Sequence, residues 1–508
     1  MLRRLERPDF HIDEKDAAVR IADAEFPVPF AHRLEFNAPV HGTWNIVHIG
    51  LMVPECHQIY VCADNCMRGV VLTAAEMGAG DRFSSVLIEE NDLYDQNLET
   101  ITIEGVSDVI RRLPYRPRAV TVFLVCLHHF VGTDAAFVFK TLEERFPDID
   151  FMRCWMDPVM QKTGLTPEQK LKESMFRPVR PLPVDPGLVC VLGDNQALDP
   201  DSDIAQTVRE AGGRILQLND WKKHGERIGI SYLRKAVTDK EAQEAYSFMV
   251  PCENYDDYLR IGSAGLFITR SPLGVHGVYQ LAKRLGRPFL YLPPVCGEDQ
   301  IRQELSKLRS TLRDNLQQTA GTAGTAGISG TAGTDAVEPD AAETDHPAGS
   351  IRDESSASKA LQHALGLIGD TEITIDYILN PRVLSLARRL LEAGFRVTRV
   401  YLDAILPEEE EDFLWLQKNC PDLILNATIH PKMRVLHNAE NEGKMLALGP
   451  KAAWFGGTAH FVNLVDYGGL WGDSGIEKLA ALMEDAWLHE KDTRSIVPRK
   501  GQGCACVL

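Results

Sequence analysis

Val47-His48-Ile49-Gly50-Leu51-Met52-Val53-Pro54-Glu55-Cys56-His57-Gln58-Ile59-Tyr60-Val61-Cys62-Ala63-Asp64-Asn65-Cys66-Met67-Arg68-Gly69 places three cysteines within eleven residues. Thiolates hold soft metals and iron–sulfur clusters better than carboxylates do, and three in one short stretch can converge on one site. A fourth ligand, or a partner chain, would complete it. Five residues separate Cys56 from Cys62 and three separate Cys62 from Cys66. That is neither the C-x2-C hairpin of zinc ribbons nor the C-x3-C-x2-C run of radical enzymes that use S-adenosylmethionine. These residues alone leave two readings, a cluster site or a set of buried or reactive thiols.

Working outward, residues 35–48 read as a loop feeding a short strand, with Pro39 and Gly42 as punctuation. Beyond Gly69, residues 70–77 suit a helix, 83–88 a strand and 99–112 a helix. Ala119-Val120-Thr121-Val122-Phe123-Leu124-Val125-Cys126 is a continuous apolar, β-branched run, as expected of a parallel strand buried on both faces. Ligands of open α/β sheets sit outside the carboxyl ends of strands. Cys126, with His128, His129 and Gly132-Thr133-Asp134 after it, therefore stands in a functional position, and a helix from Asp134 to Phe146 should follow.

The alternation repeats. Strands are expected at 188–193, 214–218, 265–269 and 288–292, with helices at 201–211 and 275–285 between them. A third set has strands near 373–375, 394–402 and 422–426 and a helix at 381–393. The predicted fold is α/β, three Rossmann-like domains with mostly parallel sheets. Residues 1–180 form an N-terminal cluster-binding domain, 181–315 a second domain and 357–508 a third. Residues 316–356 read as a disordered insertion, because the Thr-Ala-Gly tract at 319–334 and the acidic run after it carry too little apolar side chain to offset the entropy of ordering.

At 508 residues the chain is too long for one core, which agrees with three domains. Its formal charge of −18 argues against nucleic acid, whose phosphates need a basic face. No apolar run reaches the ~18 residues that would span a bilayer, so no membrane is expected. With no apolar segment after its basic start, the cytoplasm is the expected compartment. There, eleven scattered cysteines are read as thiols or metal ligands rather than a disulfide framework. The tail Gly501-Gln502-Gly503-Cys504-Ala505-Cys506-Val507-Leu508 has Ala505 where a prenylation signal needs cysteine, and is read as a plain end.

The order of parts resembles the component 1 oxidoreductases of the nitrogenase superfamily, which include nitrogenase, the dark-operative protochlorophyllide and chlorophyllide reductases and paired assembly scaffolds. The resemblance rests on His48 to Cys56, which is similar to the family's His-x7-Cys segment, and on Cys126 with Gly132-Thr133-Asp134, similar to its Cys-x5-Gly-Asp-Asp. It implies the component 1 architecture and an iron–sulfur cluster (4Fe-4S or larger) at a subunit interface, with Cys56 and Cys126 as ligands by position. The family's first cluster cysteine should precede His48, where this sequence has none; Asn37 or His41 stands there. Cys62 and Cys66 are then the thiols available to replace it, and which of them ligates stays open.

His48, His57, His128 and His129 are candidates to hydrogen-bond the cluster or to deliver protons. The family's large-cofactor cysteine falls near Thr269-Arg270 and its histidine near Trp471-Gly472, so the iron–molybdenum cofactor is not supported. Arg270, His276 and His460 are candidates to line the corresponding cavity. No G-x4-G-K-[ST] phosphate loop occurs in the sequence, so the ATP hydrolysis that the resemblance implies would belong to a partner. The resemblance implies a nitrogenase-like reductase subunit supplied by an ATP-hydrolysing iron protein, paired with a second component 1-type subunit or with itself, acting on a small molecule. A scaffold for metallocluster assembly, or a non-catalytic partner subunit, is the alternative.

Overall fold

The computed structural model describes residues 17–30, 46–156, 165–218, 247–322, 355–428, 433 and 444–491, apart from short gaps at 65, 68–69, 72–73, 75–78, 95–96 and 251. Asn37, His41, the Thr-Ala-Gly tract beyond Thr322 and the C-terminal tail lie outside them. Among the described residues the strands form three sheets. A short β1 (Ala18–Arg20) precedes the first sheet, which comprises β2 (Cys56–Cys62), β3 (Phe83–Leu87), β4 (Ala119–Val125) and β5 (Asp150–Met156). Their order is β3-β2-β4-β5, with every pair parallel.

Both seven-residue central strands, β2 and β4, are buried along their whole length; β4 is apolar but for Thr121, whereas β2 also buries His57 and Gln58. Side chains alternate between the two faces. Ile59, Val61, Val120, Val122 and Leu124 pack against the helices Leu98–Arg112 and Ala135–Arg145. On the opposite face, Cys56, Tyr60, Cys62, Phe123 and Val125 join a core that runs on into the second domain through Leu188, Cys190 and Phe267. The first two domains thus share one hydrophobic interior.

The second sheet contains β6 (Asp185–Val191), β7 (Arg214–Gln217), β8 (Met249–Val250), β9 (Ala264–Thr269) and β10 (Phe289–Tyr291), in the order β10-β9-β6-β7-β8 and all parallel. Just past β6, Gly193 has φ +78°, and a Cβ there would lie 2.8 Å from the Gly274 Cα. Two glycines are what lets this strand end touch the start of the helix Val275–Leu285. The third sheet contains β11 (Glu372–Asp376), β12 (Arg396–Tyr401), β13 (Ile424–Asn426), β14 (Leu446–Leu448) and β15 (Phe461–Val462). Its order is β1-β13-β12-β11-β14-β15, and only β1 is antiparallel.

Three expectations change. The chain start was assigned to the first domain, but residues 18–20 extend the third sheet, where pairing with β13 covers an otherwise open edge. The segment around His48 is the helix Ile46–Leu51, not a strand, and the chain re-enters the sheet through Glu55 at φ 54°. Residues 316–322, read as disordered, are the end of the helix Glu298–Thr322. Its stripe Ile301, Leu305, Leu308 and Leu312 is buried against the second sheet and carries the helix past the expected boundary. No helix among the described residues is long and apolar enough to cross a membrane.

Candidate functional site

In a doubly wound sheet the crevice for ligands opens at the carboxyl ends of strands, where the strand order reverses. In the order β3-β2-β4-β5 that point lies between β2 and β4. Cys62 is the last residue of β2, and Cys66 follows in a helical turn whose backbone N–H donates to the Ala63 carbonyl at 3.0 Å. Cys126 directly follows β4 and opens the helix Cys126–Phe130. Because Val61 pairs with Leu124, Cys62 and Cys126 emerge at the same level of the sheet. Sheet topology, more than sequence proximity, therefore brings Cys62, Cys66 and Cys126 to one edge.

Cys56 does not join them. It opens β2 opposite Ala119, the first residue of β4. Six residues at about 3.3 Å each put its backbone ~20 Å from that of Cys62, far beyond the reach of one cluster. Its sulfur instead lies 3.3 Å from the Thr121 hydroxyl inside the core. The pairing of Cys56 with Cys126 expected from the resemblance is corrected on this ground.

Electrostatics link the remaining three thiols. Burial pushes Cys62 up to about 12, with the charges of Cys66 and Asp64 adding to it. Cys66 is raised by burial and then by the charge of Cys126. Such thiols stay protonated at neutral pH until a metal displaces the proton. Among the described residues no three His, Cys, Asp or Glu side chains stand assembled around one metal position. The donor set nonetheless fits an iron–sulfur cluster in type, being thiols alone, gathered at a strand-end crevice, with Cys66 and Cys126 half-buried. Beneath Cys62, Tyr60 stacks on Phe123 at 4.0 Å and on Phe83 at 4.8 Å, which keeps that side dry.

The histidines are mostly structural. His57 is buried between the Tyr115 hydroxyl (2.7 Å from Nδ1) and the Ser84 hydroxyl (2.8 Å from Nε2), at the amino end of the sheet with Cys56. His128 accepts the Val125 N–H on Nδ1 at 3.2 Å, and its Nε2 faces Thr102 Oγ1 at 3.2 Å. Burial lowers both to about 4, so they are neutral near pH 7 and do not act there as proton donors of near-neutral pKa. His129 stacks on Trp155 at 3.9 Å, and His48 lies half-buried in the helix Ile46–Leu51.

Arg270, His276 and His460 are not brought together. Arg270 stands at the reversal point of the second sheet, between β6 and β9, and is held by Asp194: its backbone N–H donates at 3.0 Å and its Nε at 3.1 Å, while a terminal nitrogen donates to the Gln196 carbonyl at 2.7 Å. His276 pairs with Glu173 at 3.2 Å, and His460 Nδ1 meets the Ala486 carbonyl at 3.0 Å in the third domain. A depression of about 10 Å3, the room of a single water, lies beside Asp194, lined by Gly193, Gln196, Gln217 and Met52 of the first domain. Asp194 is the residue that sequence reasoning missed as the anchor of Arg270; its place after a strand-ending glycine was the available signal.

No family model matches the sequence, and no curated protein does. Among solved structures, nitrogenase Cp1 at pH 6.5 aligns with a TM-score of 0.59 and 11% identity, covering 90% of this chain and 95% of that one. Nitrogenase Cp1 at pH 5 aligns with a TM-score of 0.51 and 10% identity over 93% and 94% of the two chains. At that identity the likeness concerns the fold, and it runs across all three domains. The chain has a nitrogenase component 1-like fold.

Proposed function

We propose that the chain is a nitrogenase-like reductase subunit whose iron–sulfur cluster is held by Cys62, Cys66 and Cys126. The observation that carries this reading is the place of Cys62, Cys66 and Cys126 at the carboxyl ends of β2 and β4, where the order of the first sheet reverses, in a chain of this fold. Bound there, a cluster supplies one-electron transfer at a potential set by its charge, hydrogen bonds and exposure. The chain's own part is to present the thiols, to exclude water on the Tyr60 side and to hold His128 neutral beside Cys126.

Three thiols leave room for ligands from a second component 1-type subunit or a second copy. The face beside them supports such a partner: Leu87, which pairs with Cys62 across the sheet, is 50% exposed and Phe130 is 70% exposed. Large apolar side chains so open to water next to a functional crevice favour an interface. The electron donor is an ATP-hydrolysing iron protein, a partner that the nitrogenase component 1-like fold supports. The acceptor is a small molecule, the class of substrate that the resemblance implies.

Anaerobic purification followed by iron and sulfide analysis tests the cluster. Fewer than about two irons per chain would remove it, because even the smallest common cluster holds two. Electron consumption with the iron protein and ATP, dependent on an added acceptor, supports the reductase. Transfer of the cluster to a recipient protein without turnover would support the assembly scaffold instead.

A further inference from the structure

Among the described residues three aromatic side chains are more than half exposed, Tyr94 (76%), Phe130 (70%) and Phe137 (54%), and all three stand at the carboxyl edge of the first sheet. Tyr94 ends the helix Glu90–Tyr94 that follows β3, Phe130 ends the helix Cys126–Phe130 that follows β4, and Phe137 lies in the first turn of the helix Ala135–Arg145. Leu87 closes β3 at the same edge. Hydrogen bonds join these segments into one surface: the Ile88 N–H donates to the Cys62 carbonyl at 3.0 Å, and the Asp134 N–H donates to Glu99 at 2.8 Å, across the starts of two helices. Rings gathered in water on one face mark a contact surface.

The charge around this face is of one sign. The segments that follow β2, β3 and β4 lie at residues 63–67, 88–99 and 126–137; their described residues include Asp64, Glu89, Glu90, Asp92, Glu99 and Asp134, and no lysine or arginine. Three of these carboxylates hold the local fold. Asp92 accepts the Glu89 N–H at 2.7 Å, Glu99 accepts that of Asp134, and Asp134 accepts that of Phe137 at 2.9 Å. Acids at helix starts are what the helix dipole favours. Asp64, Glu89 and Glu90 differ, because their carboxylates make no hydrogen bond or ion pair among the described residues.

A two-fold contact between identical chains sets one patch against itself. Here it would press two acidic rims together, on chains that each carry −18. Like charges facing each other across a contact reject that partner, and opposite charges steer the right one in. We propose that this face is closed to a second copy of the chain and seats a different subunit, which presents lysines and arginines around an apolar centre. The proposal rests on the reading of this face as a subunit interface, and selects between the two partners that reading leaves open. The exposed rings supply the area the contact buries. The free carboxylates of Asp64, Glu89 and Glu90 decide which partner fits.

Sedimentation velocity on the anaerobically purified chain tests it through a charge series. Asp64→Asn, Glu89→Gln, Glu90→Gln takes the rim from six negative charges to three, and Asp64→Lys, Glu89→Lys, Glu90→Lys takes it to none. In the lysine variant, cations of one copy face the remaining carboxylates of the other, which is the chemistry proposed for the partner. At about 0.05 M salt, where the screening length exceeds ~10 Å, wild type should stay monomeric. The dissociation constant for self-pairing should fall at each step of the series, at least tenfold in all, and wild-type pairing should strengthen as salt rises toward about 1 M. Adding Phe130→Ser and Tyr94→Ser should abolish every such dimer, with circular dichroism the same throughout. A wild-type dimer at low salt that these two serines dissolve overturns the proposal and leaves the interface reading standing. Dissociation constants indifferent to the rim charge also overturn it. Monomers across the whole series, at low and high salt alike, overturn both.

Discussion

His57 offers a quantitative test of the first domain. It is 1% exposed and its ring nitrogens are taken up by Tyr115 and Ser84, and burial lowers its pKa from 6.5 to about 4. In the unfolded chain the same imidazole titrates near 6.5. Between those values the unfolded state binds a proton that the folded state refuses, so stability falls as pH drops below about 6.5 and is fully present above it. From pH 7.5 to pH 5 the gap amounts to roughly 1.5 pKa units, or about 2 kcal/mol.

Other buried groups titrate with the opposite sign, notably Asp376, raised to about 6 by burial, and Glu409, raised to about 8. A difference measurement removes them. His57→Gln deletes one titration, so the gap in stability between wild type and variant should shrink by about 2 kcal/mol on going from pH 7.5 to pH 5, whatever the substitution costs at neutral pH. Because a chain of three domains does not unfold in one step, the assay is hydrogen exchange of the amides in β4, which report opening of the first domain. Corrected for intrinsic rates, wild-type exchange should gain about 30-fold more than the variant's over that pH change. A gap that stays constant to within about 0.5 kcal/mol would refute a neutral, buried His57.

Two further substitutions test the packing that positions the crevices. Lys172 and Glu168 form an ion pair at 2.6 Å that is 1% and 0% exposed, so Lys172→Met leaves a buried carboxylate without its cation and should cost about 3 kcal/mol or more, read as a lower urea midpoint; Glu168→Gln in the same chain should recover part of it. Gly193→Ala places a Cβ 2.8 Å from Gly274 at φ +78° and should cost about 2 kcal/mol, read as a lower thermal midpoint, whereas Gly366→Ala, with nothing within 4 Å of its Cβ, should not.

Much of the architecture was legible because parallel strands buried on both faces leave unbroken apolar runs. Residues 119–125 are such a run, and Ser202 and Asp134 cap helices where side-chain chemistry places them. What the residues did not reveal was long-range pairing. Cys56 and Cys62 bound one strand, and only the neighbours of that strand decide which end is the crevice. The contact of Arg270 with Asp194 likewise depends on β9 lying beside β6, since the two residues are 76 positions apart. Residues 46–51 were misjudged because a short apolar run fits strand and buried helix equally well. The helix to Thr322 outran its expected end because burial of its leucine stripe outweighs the weak propensity of the Thr-Ala-Gly start.

The most direct test of the central claim compares iron bound per chain in anaerobically purified Cys56→Ala, Cys62→Ala, Cys66→Ala and Cys126→Ala. If the cluster sits at the order reversal of the first sheet, Cys62→Ala, Cys66→Ala and Cys126→Ala each lose most of their iron, and Cys56→Ala keeps the wild-type content. Loss of iron in Cys56→Ala, with retention in Cys66→Ala, would contradict the account and return the ligand to the far end of β2.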